Sequence, residues 1–206
     1  MNFEPSQLYH IYNQGNNRQK IFLSDNDYST FLAYVKVLIL PFAEIIAYCF
    51  MPNHFHFLIY ANEHSCRMVK QGGVLITSLS NGFRKLLSGY CRVFNSKHQR
   101  SGSLFRQKTK AKCLTEWEPA KSDCSLQDYC SNCFRYIHNN PLSAGLVKLA
   151  SDWIWSSYRF YAGIESEGIC SMEKAKKFCG IDIKDLIDDR EIDERWVKVF
   201  EEDTLL

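Results

Sequence analysis

Glu44-Ile45-Ile46-Ala47-Tyr48-Cys49-Phe50-Met51-Pro52-Asn53-His54-Phe55-His56-Phe57-Leu58-Ile59-Tyr60 is the stretch on which the fold turns. Glu44 to Phe50 and His54 to Tyr60 are rich in β-branched and aromatic residues, and Met51-Pro52-Asn53 between them is a turn, so the stretch predicts a hairpin. Along the second strand, the period of two puts His54 and His56 on one face and Phe55, Phe57 and Ile59 on the other. The apolar set is expected to pack on helices, which leaves both imidazoles toward an open side.

Working outward, Leu8 to Tyr12 reads as a strand closed by the turn Asn13-Gln14-Gly15-Asn16-Asn17. Ser24-Asp25-Asn26-Asp27 has the form of a capping box. Tyr28, Phe31, Leu32, Val35 and Leu38 follow at helical spacing, and Pro41 stops the helix. Beyond the hairpin, Gly72-Gly73 is expected to be a hinge before a long helix whose stripe runs through Ile76, Leu79, Phe83, Leu86, Leu87, Tyr90 and Phe94. Gln107 to Leu114 is a predicted fourth strand with Lys108, Lys110 and Lys112 on one face. After the polar stretch Glu116 to Ser125, a helix is predicted from about Leu126 to Asn140, ended by Pro141. Its buried stripe is Leu126, Tyr129, Cys130, Cys133, Phe134 and Ile137. Trp153 to Tyr158 is expected to pack back on the domain. The order β-α-β-β-α-β, then helix, predicts an α+β, ferredoxin-like antiparallel sheet with helices on one face.

Composition narrows the function classes. The chain has 206 residues, is 46% hydrophobic and 23% charged, and can fill a core. Its longest apolar run, Val37 to Ala47, is broken by Pro41 and Glu44 and is too short for a membrane span. The N-terminus lacks a basic-then-apolar secretory pattern, and nine scattered cysteines read as reduced thiols, so a cytoplasmic protein is expected. The charge of +2 is unevenly distributed. From His64 to Thr115 there are eleven Lys or Arg and no acid, whereas from Glu165 onward thirteen acids face seven bases. The basic middle is a candidate phosphate-binding surface with Tyr90, Phe94, His98 and Phe105 available for stacking, or simply a solvated face. Cys124, Cys130 and Cys133 lack a fourth ligand at paired spacing and do not make a zinc site.

Two motifs carry chemistry. His54 and His56, spaced i, i+2, suit one divalent ion bound through neutral ring nitrogens, or are two ordinary polar residues on a half-exposed strand. Arg135-Tyr136-Ile137-His138-Asn139-Asn140-Pro141 places Tyr136 and Asn140 one turn apart on one helical face. A phenol there can reach a metal-bound phosphate, or is an aromatic at the core edge. His10 and His138 read as structural or DNA-contacting.

Together with their neighbours these motifs resemble a known family. Tyr9-His10-Ile11-Tyr12-Asn13-Gln14-Gly15-Asn16-Asn17, Ala47 to His56, Gly102-Ser103-Leu104-Phe105, Arg135 to Val147 and Trp155-Ser156-Ser157-Tyr158 resemble the REP-associated tyrosine transposases of the single-tyrosine HUH superfamily. The resemblance spans residues 8 to about 162. It implies an HUH endonuclease fold, His54, His56 and Asn140 as ligands of Mg²⁺ or Mn²⁺, and Tyr136 as nucleophile. The implied activity is nicking and strand transfer of single-stranded, hairpin-forming DNA through a 5′-phosphotyrosine. The alternative is a domesticated DNA-binding protein of the same fold without catalysis. Arg84, Lys85, Arg92, Arg106, Lys108, Lys110 and Lys112 are the expected DNA-binding residues. No P-loop is present, and covalent storage of the bond energy needs no ATP. No membrane partner is expected, and monomer and homodimer stay open.

The expected organisation is a catalytic domain over 1–163 and an acidic, partly helical extension over 164–206. That extension is expected to pack through Phe178, Ile181, Leu186, Trp196, Val197 and Phe200, away from the site. Docking over the basic middle is the other arrangement.

Overall fold

A computed structural model of the chain describes residues 1–116, 125–181 and 199–200. Its elements run β1 (Gln7–Gln14), α1 (Asp25–Leu38), β2 (Ala43–Met51), β3 (His54–Ala61), α2 (Glu63–Cys66), β4 (Met68–Gln71), β5 (Val74–Thr77), α3 (Ser78–Lys97), β6 (Lys110–Cys113), α4 (Leu126–Ser143), α5 (Tyr158–Tyr161) and α6 (Met172–Cys179). β2, β3, β1 and β6 pair antiparallel in that order. Counting only these four strands, the order is 2-3-1-4, the ferredoxin-like arrangement expected from the sequence.

One face of the sheet carries Tyr9, Ile11, Ile45, Phe50, Phe55, Phe57 and Ile59 against α1 and α3. α1 is held at its start by Ser24 and Asp27, which cap each other's backbone N–H groups. α3 crosses close to the end of α1 because residue 82 is glycine, where a Cβ would lie 2.4 Å from the Leu38 carbonyl oxygen.

The opposite face is not open, which corrects the expectation of helices on one face only. Leu8, Ala47, Cys49, Met51 and Leu58 point that way and are buried under α4 and α6. A bulge between Ile45 and Ala47 adds Ile46 to this second core. The reason is apolar supply: the inward stripe Tyr129, Cys130, Cys133, Phe134 and Ile137 of α4 needs a surface, and the second sheet face is the one that offers it. Leu126, expected in that stripe, is instead at the exposed helix start. Ala175, Cys179, Ile181 and Phe200, all beyond residue 163, belong to this same core.

Three further expectations change. Gly72-Gly73 is the two-residue turn of a β4–β5 hairpin, with φ of +55° and +84°, rather than a hinge. Ile76 accordingly sits in β5, and α3 begins at Ser78. Pro141 lies inside the last turn of α4, which runs on to Ser143.

Trp153 to Tyr158 packs back as expected. It runs along the outer edge of β2, where Phe50 N–H donates to Trp155 O at 2.9 Å and Ser157 N–H to Tyr48 O at 3.0 Å. Ser157 Oγ also lies 2.7 Å from His138 Nε2, so this segment ties α4 to β2. The edge strand is thereby covered. Among the described residues no helix is long and apolar enough to cross a membrane. Residues 117–124 of the polar stretch, and Leu186, Trp196 and Val197 of the extension, lie outside the described residues.

Candidate functional site

Register places the site. Opposed residues of an antiparallel sheet share a face, and three of the rows on the α4 side frame the site. They are Gln14, His54 and Met51; Lys110, Tyr12, His56 and Cys49; and Lys112, His10, Leu58 and Ala47. His54 and His56 therefore share the face, and their ring centroids are 5.0 Å apart. That face lies beneath α4 rather than open: His56 is fully buried and His54 half-buried.

α4 completes the arrangement. Ser125 and Asp128 form a capping box that fixes its start, and its apolar stripe sets its rotation over the sheet. Tyr136 faces the histidines, its ring centroid 5.5 Å from His56 and 6.1 Å from His10. Asn140, one turn on, donates from Nδ2 to the Tyr136 carbonyl at 3.2 Å. That bond turns Oδ1 toward His54, 3.3 Å from Nε2. The residues singled out on two distant segments thus meet.

Both imidazoles are neutral. Burial pushes His54 down to about 4, against a smaller upward effect of the Asn140 contact. Burial, then the neighbouring His54 and His10, holds His56 well below its ordinary value. Neutral rings are what a metal needs. His56 Nε2 is buried without a hydrogen-bond partner among the described residues. The same residues contain no cluster of three His, Cys, Asp or Glu side chains. Among the described residues, the further donor beside the pair is a neutral oxygen, Asn140 Oδ1. Two imidazole nitrogens and one amide oxygen form a mixed N/O set that suits Mn²⁺ better than Mg²⁺, a hard cation that prefers oxygen.

The basic residues divide into groups. Arg84, Arg106, Lys108 and Lys110 line a groove of about 840 Å³ between α3 and residues 103–111, on the sheet edge formed by β6. Lys85 and Arg92 are exposed on α3 outside that lining. Lys112 registers beside His10, at the site itself, and its charge adds to burial in pushing His10 down to about 3. Lys108 precedes the strand, which begins at Lys110 rather than Gln107.

Three residues at the site escaped sequence reasoning. Asn53, read only as a turn residue, places Oδ1 2.6 Å from His54 Nδ1. His10 is fully buried with Nε2 2.9 Å from His56 Nδ1. Phe200 is buried against Tyr136, with centroids 5.1 Å apart, and against His10 and Tyr129. This last contact corrects the expectation that Phe200 packs away from the site. His138, the other histidine left open, is buried on Ser157 and plays a structural part.

Comparison with known proteins bears on the fold and on the sequence resemblance. No protein-family model matches the chain. A protein of Haemophilus influenzae provisionally named as a REP-associated tyrosine transposase is 29% identical over 121 residues. That match spans 57% of this chain and 60% of the relative. Among solved structures, a REP-associated tyrosine transposase bound to a REP hairpin superposes with a TM-score of 0.55 at 16% identity. It covers 83% of this chain and 88% of that one. The chain thus resembles a REP-associated tyrosine transposase in sequence over 121 residues and shares the fold of the solved one.

Proposed function

We propose that the chain is a single-tyrosine DNA nickase and strand transferase acting on hairpin-forming single strands. The observation that carries this reading is the meeting of His54, His56, Asn140 and the Tyr136 ring on one sheet face, from segments about eighty residues apart. The DNA-bound state of the solved relative, and the transposase name of the curated one, support the substrate class.

His54 Nε2, His56 Nε2 and Asn140 Oδ1 would hold Mg²⁺ or Mn²⁺, which when bound supplies charge to polarise a phosphodiester oxygen. Tyr136 then gives up its phenol proton, and Oη attacks phosphorus. The P–O3′ bond breaks, the departing 3′-oxygen takes up a proton, and a 5′-phosphotyrosine remains. Attack by another 3′-hydroxyl on that phosphorus returns the proton to Tyr136 and joins the strands. α4, locked to β2 through His138 and Ser157, holds Oη in place through this exchange. Arg84, Arg106, Lys108 and Lys110 would carry the backbone of the bound DNA.

The test is a covalent protein–DNA adduct on a denaturing gel, using hairpin oligonucleotides taken from inverted repeats beside the gene, with Mn²⁺. Wild type is expected to form it and Tyr136→Phe is not. A second reading, DNA binding without chemistry, is favoured by one observation: Tyr136 is only 7% exposed, with the Phe200 ring packed beside it. Hairpin binding with no adduct in wild type would select that reading.

A further inference from the structure

Behind each imidazole of the pair stands a side chain that the reading above leaves without a role. We propose that Asn53 and His10 are positioning residues: Asn53 sets, and His10 makes available, the tautomer through which His54 and His56 bind a cation at Nε2. The inference rests on the proposed metal role of the two histidines.

For His54 the argument is one of donors and acceptors. Asn53 Oδ1 lies 2.6 Å from His54 Nδ1, and an amide oxygen only accepts. Asn53 Nδ2 points instead to the Arg18 carbonyl, 3.5 Å away, which fixes the orientation of the amide. The proton of the neutral ring is therefore on Nδ1, and Nε2 is bare. On its other side, Nε2 faces Asn140 Oδ1 at 3.3 Å, and the Asn140 bond to Tyr136 keeps that oxygen in place. Two lone pairs face each other, an arrangement that a cation relieves, whereas moving the neutral ring's single proton to Nε2 would relieve it at the cost of the shorter Asn53 contact.

For His56 the partner is another imidazole. One N–H lies between His56 Nδ1 and His10 Nε2, 2.9 Å apart. If His10 donates, His56 keeps its own proton on Nε2 and cannot ligate there. If His56 donates, its Nε2 is bare and His10 carries a proton on Nδ1. Each arrangement leaves one N–H without a partner among the described residues, on His56 Nε2 or on His10 Nδ1. The two are closely balanced, and each ring keeps one proton in both. A cation at His56 Nε2 selects the second, and His10 makes it available by accepting the Nδ1 proton's hydrogen bond. Metal-bound histidines commonly lean on a carboxylate or carbonyl in this way. Here both supports are neutral side chains.

Two measurements test the assignment on the whole chain. Long-range ¹H–¹⁵N NMR of the metal-free protein should show His54 as a single Nδ1–H tautomer, and added Mg²⁺ should bring His56 to the same form. Mn²⁺ titration followed by electron paramagnetic resonance should show about 10- to 100-fold weaker binding for Asn53→Leu and His10→Phe. Asn53→Asp and His10→Gln, whose oxygens accept the same hydrogen bonds, should restore binding. A His54 Nε2–H tautomer overturns the assignment, as does unchanged Mn²⁺ affinity in both apolar variants. A wild type that binds no Mn²⁺ removes the metal reading itself, an outcome distinct from equal binding by wild type and variants.

Discussion

Under the hairpin-DNA reading, the groove between α3 and residues 103–111 makes a quantitative demand on salt dependence. Arg84, Arg106 and Lys108 line it, and no acid occurs between His64 and Thr115 to neutralise them. Arg84 is held by Asn81 Oδ1, at 3.2 Å from Nε and 3.0 Å from Nη2, a neutral anchor that orients the guanidinium without cancelling its charge. Each phosphate neutralised adds about 0.9 to the logarithmic salt slope on a duplex stem and about 0.7 on a single strand. Arg84→Ala/Arg106→Ala/Lys108→Ala should then flatten the slope by about 2 to 3. Between about 50 and 200 mM salt, wild-type affinity should fall roughly 20- to 60-fold more than that of the triple variant. Lys85→Ala/Arg92→Ala, outside the groove lining, should change the slope by less than about 1. Fluorescence anisotropy of a labelled hairpin at several salt concentrations measures both. An unchanged slope in the triple variant, or a larger change in the α3 pair, would refute the groove as the path of the backbone.

Two further outcomes concern stability. Burial alone would raise the Asp27 carboxyl, but hydrogen bonds from Lys97, the Leu23 N–H, His98 and Ser24 outweigh it and hold the group at about 2, below its ordinary 3.8. A depressed carboxyl stabilises the fold above its unfolded value and loses that contribution as pH falls through 3.8 toward 2, so acidification should remove about 1–2 kcal/mol that Asp27→Asn never had. Urea unfolding of the two proteins at neutral pH and near pH 3 checks it, and equal losses on acidification would contradict it. Phe200→Ala empties a fully buried position against Tyr129, Tyr136 and His10, and should cost about 3 kcal/mol in the same assay. A cost below about 1 kcal/mol would mean Phe200 does not belong to the α4 core.

The parts of the fold that were legible in the sequence are those set by local periodicity. The alternation of His54 to Ile59 gave the correct faces because a strand has only two sides. The ferredoxin-like layout followed from the element order β-α-β-β-α-β. What covers the second face was not legible, because an apolar stripe on α4 says that a helix is buried but not beneath which surface. The β4–β5 hairpin was missed for a different reason. Ile76 continues the helical spacing of Leu79 and Phe83, and that outweighed Gly72-Gly73, itself a hairpin signal.

The site shows the same division more sharply. Its reacting groups are local patterns: a histidine pair at strand spacing, and a tyrosine and an asparagine at helical spacing. The residues that orient them are not. His10 meets His56 only because β1 pairs with β3 in the register Tyr12 to His56, and a slip of one residue would turn His10 to the other face. Asn53 looks like any turn residue until β3 starts at His54 and its amide is seen capping the ring beside it. The first support depends on strand pairing and the second on the shape of the turn before β3, so neither carries a spacing rule of its own. Under the proposed reading, Asn53 decides which nitrogen of His54 carries a lone pair and His10 lets a cation make that choice at His56; a pair of histidines at the right spacing is a pair of ligands only once it is made.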